Sequence, residues 1–173
     1  MKNWKMLTLV GQDRPGIVAK ITTALYDAGA KLGEASMMRL GGNFTIMLMV
    51  KTEHTTTELN SIIEPVATKM QLTAHFQPIV ASLHHHEIPD SHISVYGADR
   101  PGIVSKTTTC LLEAGFNIMD LESDVAGTEA EPIYIMHIEG IASGGQEALE
   151  QAIAKIKQEG VNVELTPIDI MIG

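Results

Sequence analysis

The sequence predicts an α+β protein built from two successive βαββαβ modules. Three observations carry this. Residues 11–29, GQDRPGIVAKITTALYDAG, recur as residues 97–115, GADRPGIVSKTTTCLLEAG, at an offset of 86 with 13 of 19 positions identical. Repetition at a fixed spacing sets the unit of architecture. The apolar residues switch between a period near 3.6 and short β-prone runs, so helices and strands alternate. Glycine and turn residues punctuate both copies at matching places.

In the first copy, Trp4–Val10 is a short apolar run, followed by turn residues Gly11–Gly16. Apolar positions 17, 18, 21, 24, 25 and 28 form one helical face, which Gly29 closes. Leu32–Leu40 and Asn43–Val50, split by Gly41-Gly42, form a hairpin. Thr55-x-x-Glu58 is a capping box. The helix after it carries Leu59, Ile62, Ile63, Val66, Ala67 and Met70, with Pro65 expected to kink it. Leu72–Val80 is the last strand.

The second copy repeats this order. His92–Gly97 is a strand, Ile103–Ala114 a helix, and Asn117–Val125 with Ile133–Glu139 a hairpin with a longer turn. Ser143-x-x-Gln146 is expected to cap a helix carrying Leu149, Ala152, Ile153 and Ile156 and ending at Gly160. Val161–Ile170 closes the module. Phe44–Met47 matches Ile133–Met136, and Pro78 matches Pro167, at an offset of 89, so the hairpin turn gained about three residues between the copies.

Each copy therefore reads as a ferredoxin-like module, a four-stranded antiparallel sheet with two helices on one face. The expected domains are 1–81 and 92–173, joined by a polar linker, 82–91. Phe44, Ile46, Leu48 and Val50 alternate as an apolar set, yet Met47 and Met49 make the other side of that strand apolar too. A strand apolar on both sides is expected to meet a partner, through the open face or a sheet edge.

The totals exclude several classes. Hydrophobic residues make up 45% and charged residues 19%, which fits a globular protein rather than a disordered one. The net charge of −9 and the lack of a Lys/Arg cluster argue against direct nucleic-acid binding. No apolar run is long enough to cross a bilayer, and the opening residues lack a secretory pattern. The single cysteine, Cys110, excludes an intrachain disulfide and fits a reducing compartment, so a cytoplasmic location is expected.

The repeated turn is the candidate site. Asp13-Arg14-Pro15-Gly16 and Asp99-Arg100-Pro101-Gly102 each follow a strand and open a helix at Ile17 and Ile103. Asp as N-cap, Pro in the first turn and a permissive Gly would suffice simply to shape the loop. The same features leave unpaired N–H groups at the positive end of a helix, where a carboxylate or phosphate binds. The P-loop pattern is absent, so a nucleotide is not suggested.

These residues, the A-G helix ends and the βαββαβ order resemble the ACT domain, a regulatory module that binds amino acids. The resemblance covers nearly the whole chain, twice. Two such modules in tandem resemble the glycine cleavage system transcriptional repressor group. That resemblance implies a non-enzymatic regulator that senses a small amino acid, glycine among them, and acts through a protein partner, a transcription activator; the alternatives are a scaffolding module without ligand and a regulatory subunit of a metabolic enzyme. A homodimer and no cofactor are expected, with the modules pairing either within one chain or across the dimer. The resemblance also places the ligand between the turn of one module and the second strand of a neighbour, at Asn117 or its counterpart Lys31. An Asn side chain both donates and accepts, whereas a Lys only donates, so the pocket using Asn117 is the expected one.

Other features read as structural. Cys110 aligns with Ala24 on a face expected to be buried, away from any activating base. His84-His85-His86 reads as solvated linker rather than a metal site, and His54, His75 and His92 add no ligand spacing. Met37, Met38, Met47 and Met49 read as adaptable packing. No Ser/His/Asp grouping is placed for acyl transfer.

Overall fold

The computed structural model describes residues 3–80 and 87–168. The chain divides into two compact units, Met1–His84 and His85–Gly173. The first runs β1 (Trp4–Gln12), α1 (Ile17–Asp27), β2 (Lys31–Leu40), β3 (Asn43–Lys51), α2 (Thr56–Met70) and β4 (Leu72–Pro78). The second runs β5 (Ser91–Ala98), α3 (Ile103–Glu113), β6 (Phe116–Gly127), β7 (Pro132–Ala142), α4 (Gln146–Gln158) and β8 (Asn162–Pro167). The sheet orders are β2-β3-β1-β4 and β6-β7-β5-β8, with antiparallel neighbours throughout. This is the expected fold, twice.

Alternation along the central strands selects one face as core. In the first unit Leu7, Leu9, Phe44, Ile46, Leu48 and Val50 pack against Ile17, Ile21 and Leu25 of α1 and Leu59, Ile63 and Met70 of α2. In the second, Ile93, Val95, Met136 and Ile138 pack against Leu111, Leu149, Ile153 and Ile156. Cys110 is partly buried against this second core. Met47, on the opposite face of β3, is 48% exposed, so the unit alone leaves that side open. The edge strand β2 is exposed along its whole length, as is β6 beyond Ile118.

Gly41 and Gly42, at φ 55° and 75°, close the first hairpin in the primed-turn conformation that suits strand twist. The second hairpin is longer than the sequence reading, since ladder pairing continues to Phe116↔Ala142 and Gly127↔Pro132. The α2 capping box is present. Glu58 N–H donates to Thr55 Oγ1 at 3.2 Å, and Thr55 N–H donates to Glu58 Oε2 at 2.7 Å. That donated N–H, with the Thr55 hydroxyl and His54 adding to it, holds the Glu58 carboxyl below its ordinary pKa. The box therefore supports stability above the ordinary carboxylate range and loses that support as pH falls through the lowered value. Thr55→Ala should cost about 1 kcal/mol by urea denaturation at neutral pH, and less in acid.

The expected cap at Ser143 is not formed. The N-cap of α4 is Gly145, with no side-chain cap. Gly144 N–H donates to the Gly115 carbonyl at 3.1 Å, and this contact holds Ser143 in the preceding turn. β8 ends at Pro167, short of the expected Ile170, and residues 169–173 lie outside the described residues. So does the His84–His86 run.

Candidate functional site

Neither Asp13 nor Asp99 caps its helix, contrary to the local sequence reading. The N-caps are Gly16 (φ 86°, ψ 4°) and Gly102 (φ 93°, ψ −1°), and neither helix has a side-chain cap. A proline followed by a glycine at these angles makes a type II turn. In the second unit the turn closes with Ile103 N–H donating to the Arg100 carbonyl at 3.4 Å. The first N–H groups of α1 and α3 are thus left without side-chain acceptors, at the positive end of each helix dipole.

Each Asp instead anchors the turn to the hairpin. Asp13 N–H donates to the Gly42 carbonyl at 3.0 Å, and Asp99 N–H to the Pro132 carbonyl at 3.2 Å. The side chains then diverge. Asp13 accepts from Arg39 Nε at 2.7 Å and from its Nη2. Arg39 sits opposite Phe44 in the β2–β3 ladder, whereas the corresponding partner of Ile133 is Ala126. Among the described residues no side chain pairs with Asp99.

The arginines diverge as well. Arg14 donates to Gln12 Oε1 at 3.1 Å and to Gln71 Oε1, across the β1–β4 side of the sheet. Gln71 precedes Leu72, which packs against Gly11, and Gly160 precedes Val161, which packs against Gly97. The second unit therefore has glycine where the first has the glutamine that holds Arg14.

Around the first turn is a cavity of about 390 Å³, lined among others by Asp13, Arg14, Gly16, Met37, Arg39 and Phe44. Two guanidinium groups and one carboxylate give it a formal charge of +1, which favours an anion. The wider charge distribution agrees. Residues 1–84 hold eight Lys/Arg against six Asp/Glu, and residues 85–173 hold four against fifteen, for formal charges of +2 and −11. An anion meets less repulsion at the first turn.

Asn117 and Lys31 lie at the far end of their own sheets. Asn117 pairs with Ile141, while Ala98, at the turn, pairs with Ile133 of the same strand. Eight positions at ~3.4 Å each separate the two levels by roughly 27 Å along the strand. Lys31↔Lys51 and Gln12↔Asn43 show the same separation in the first unit. No single unit can bring its turn and its own second-strand residue to one small ligand.

Phe44 and Met37, which the sequence pattern assigns to packing, and Arg39, which it does not single out, all line the first turn's cavity. The usable signal was register: with the hairpin closed at Gly41-Gly42, Arg39 falls opposite Phe44, the residue that faces Gly11. Register also assembles a polar chain on the open face of the second sheet. Ser94 Oγ lies 3.1 Å from His92 Nε2 and 3.1 Å from His137 Nδ1, and His92 Nδ1 lies 3.4 Å from Glu139 Oε1. These are the atom types of an acyl-transfer relay, in a grouping the sequence reading did not find. However, β5 is paired on both sides, to β7 and β8, so its N–H groups are committed to the ladder rather than facing an oxyanion.

Comparison with known proteins follows the same division of the chain. A family model described as the ACT domain matches residues 6–77 and 92–166. The glycine cleavage system transcriptional repressor of Escherichia coli is 25% identical over 163 residues, covering 91% of this chain and 86% of that protein. A crystal structure of an unknown protein from Galdieria sulphuraria superposes with a TM-score of 0.72 at 22% identity, over 96% of this chain and 99% of that one. A second, provisionally described as a glycine cleavage system transcriptional repressor, gives 0.68 at 19% identity, over 96% and 98%. Both structures share the fold.

Proposed function

The chain belongs to the ACT domain family across both of its halves, and from that premise we propose that it is a regulator without catalysis of its own, which binds a small amino acid and acts through a protein partner. Similarity to the repressor supports glycine as the first ligand to test and a transcription activator of the glycine cleavage system as the partner. The observation that carries the reading is the repeated turn, with a left-handed Gly16 or Gly102 ahead of a helix whose first N–H groups have no side-chain acceptor. Asp13, Arg14, Pro15, Gly16 and Ile17 supply the preferred half-site, because its cavity carries net positive charge. Asp99, Arg100, Pro101, Gly102 and Ile103 form the weaker one. The amino-acid carboxylate takes the helix terminus.

The other half-site is Asn117 from a neighbouring module. Its amide can accept from the ligand ammonium and donate to the carboxylate. Occupancy then favours one arrangement of modules, and partner affinity changes to the extent that the ligand binds the two arrangements differently.

A thermal-shift panel of the proteinogenic amino acids on the full chain tests this. A true ligand raises the melting temperature, and the rise keeps growing with the logarithm of its concentration above Kd. The response should vanish in Asn117→Ala, an exposed position whose replacement leaves the melting temperature of the free protein nearly unchanged. No response to any amino acid at millimolar concentration would favour a second reading, an oligomerisation scaffold that uses the exposed edge strands β2 and β6.

A further inference from the structure

We infer that the second unit carries a binding site for a short-chain monocarboxylate, in a cavity between α3 and α4. The cavity measures about 120 Å³. Exposed Arg100 and Lys106 stand at its rim, buried Thr107 and Ile156 lie at its inner end, and half-buried Cys110 opens onto it. It shares Arg100, Pro101 and Ile103 with the weaker amino-acid half-site but opens toward α4 rather than onto the first N–H groups of α3, and it does not depend on an amino acid binding at either turn.

Charge sets the ligand class. Lys106 is bound to Glu159, which also lines the cavity, so that pair is neutral. Arg100 has no side-chain acceptor among the described residues. It stands beside Gly160, its Nη1 3.6 Å from where a Cβ would sit, where a glutamine in the first unit holds Arg14. The substitution of glycine for glutamine leaves this guanidinium at the cavity mouth with one uncompensated positive charge. A single carboxylate neutralises it and can accept two parallel hydrogen bonds from the guanidinium.

Size and lining set the rest of the molecule. Ile103, Ile156 and Val161 make the inner wall apolar. A cavity of about 150 Å³ accepts benzene, so about 120 Å³ accepts some five or six heavy atoms, the size of propionate or butyrate. An amino acid fits poorly. Its ammonium would enter the apolar end or crowd Arg100, with the nearby carboxylate already engaged by Lys106.

Cys110, the chain's single cysteine, is the reporter. The rate of its alkylation by iodoacetamide should fall about threefold when propionate is present at twice its Kd, because the occupied cavity shields the thiol. 1-Propanol, with the same chain and no charge, should give no protection, and Arg100→Gln should lose protection by propionate while keeping the unliganded rate. A second readout does not need the thiol: propionate should shift the methyl NMR signals of Ile103 and Ile156 in the full chain. An unchanged alkylation rate together with unmoved methyl signals would overturn the proposal. Equal protection by propanol, or protection that survives in Arg100→Gln, would overturn the carboxylate assignment.

Discussion

Replacing Gly140 by Val should unfold the second unit at a denaturant concentration where the first remains folded. A Cβ at position 140 would lie 2.2 Å from the Asn117 carbonyl and 2.7 Å from the Phe116 ring. The first neighbour is backbone in the ladder partner β6, so no rotamer change relieves the clash. The strand must peel away or shift register, and a shift of one residue would turn its side chains to the wrong face. Overpacking of this kind costs about 3 kcal/mol or more, a large share of what a module of this size has. Two native probes separate the units: Trp4 is the chain's single tryptophan and lies in the first, and Cys110 lies in the second. Cys110 should become fully reactive at a lower urea concentration than in the parent, while the Trp4 fluorescence transition stays in place. Movement of both transitions together would show that the two units unfold as one.

Gly16→Val should abolish the amino-acid response while the chain still folds. At φ 86° any L side chain is strained, by about 1–2 kcal/mol. For a module of this size that lowers the melting temperature by roughly 4–8 °C per kcal/mol. Relief of the strain rotates the turn and turns aside the N–H groups that the ligand carboxylate needs. Gly102 has nearly the same geometry and nothing within 4 Å of an added Cβ, so Gly102→Val should show the same strain cost. It should nevertheless keep the amino-acid response, because the first turn carries the net positive cavity. Melting curves of both variants with and without ligand decide the matter. A response kept in Gly16→Val and lost in Gly102→Val would move the site to the second turn.

Local chemistry made much of this molecule readable in advance. The Thr55/Glu58 box forms as its spacing predicts, because both partners lie within one helical turn. Gly41-Gly42 closes the hairpin because glycine takes both positive φ angles without a steric penalty. The same local reasoning failed at Ser143, where a contact from Gly115, in another loop, decides where the helix starts. It failed again at Asp13 and Asp99. Local preference makes them caps, but their backbone N–H groups are drawn to the hairpin turn.

The near-identity of the two turns in sequence therefore concealed their difference. By itself the sequence determined the duplication, the order of the elements and the turn that opens each helix, since these follow from patterns that repeat within a few residues. Only the tertiary structure decided that Arg39 reaches Asp13 across 26 residues and that Gln71 reaches Arg14 across 57. Only it decided that Gly160 leaves Arg100 at the mouth of a cavity, and that Asn117 lies a full strand length from its own turn. Strand register and helix packing set these contacts, and they join residues whose separation along the chain carries no periodic signal.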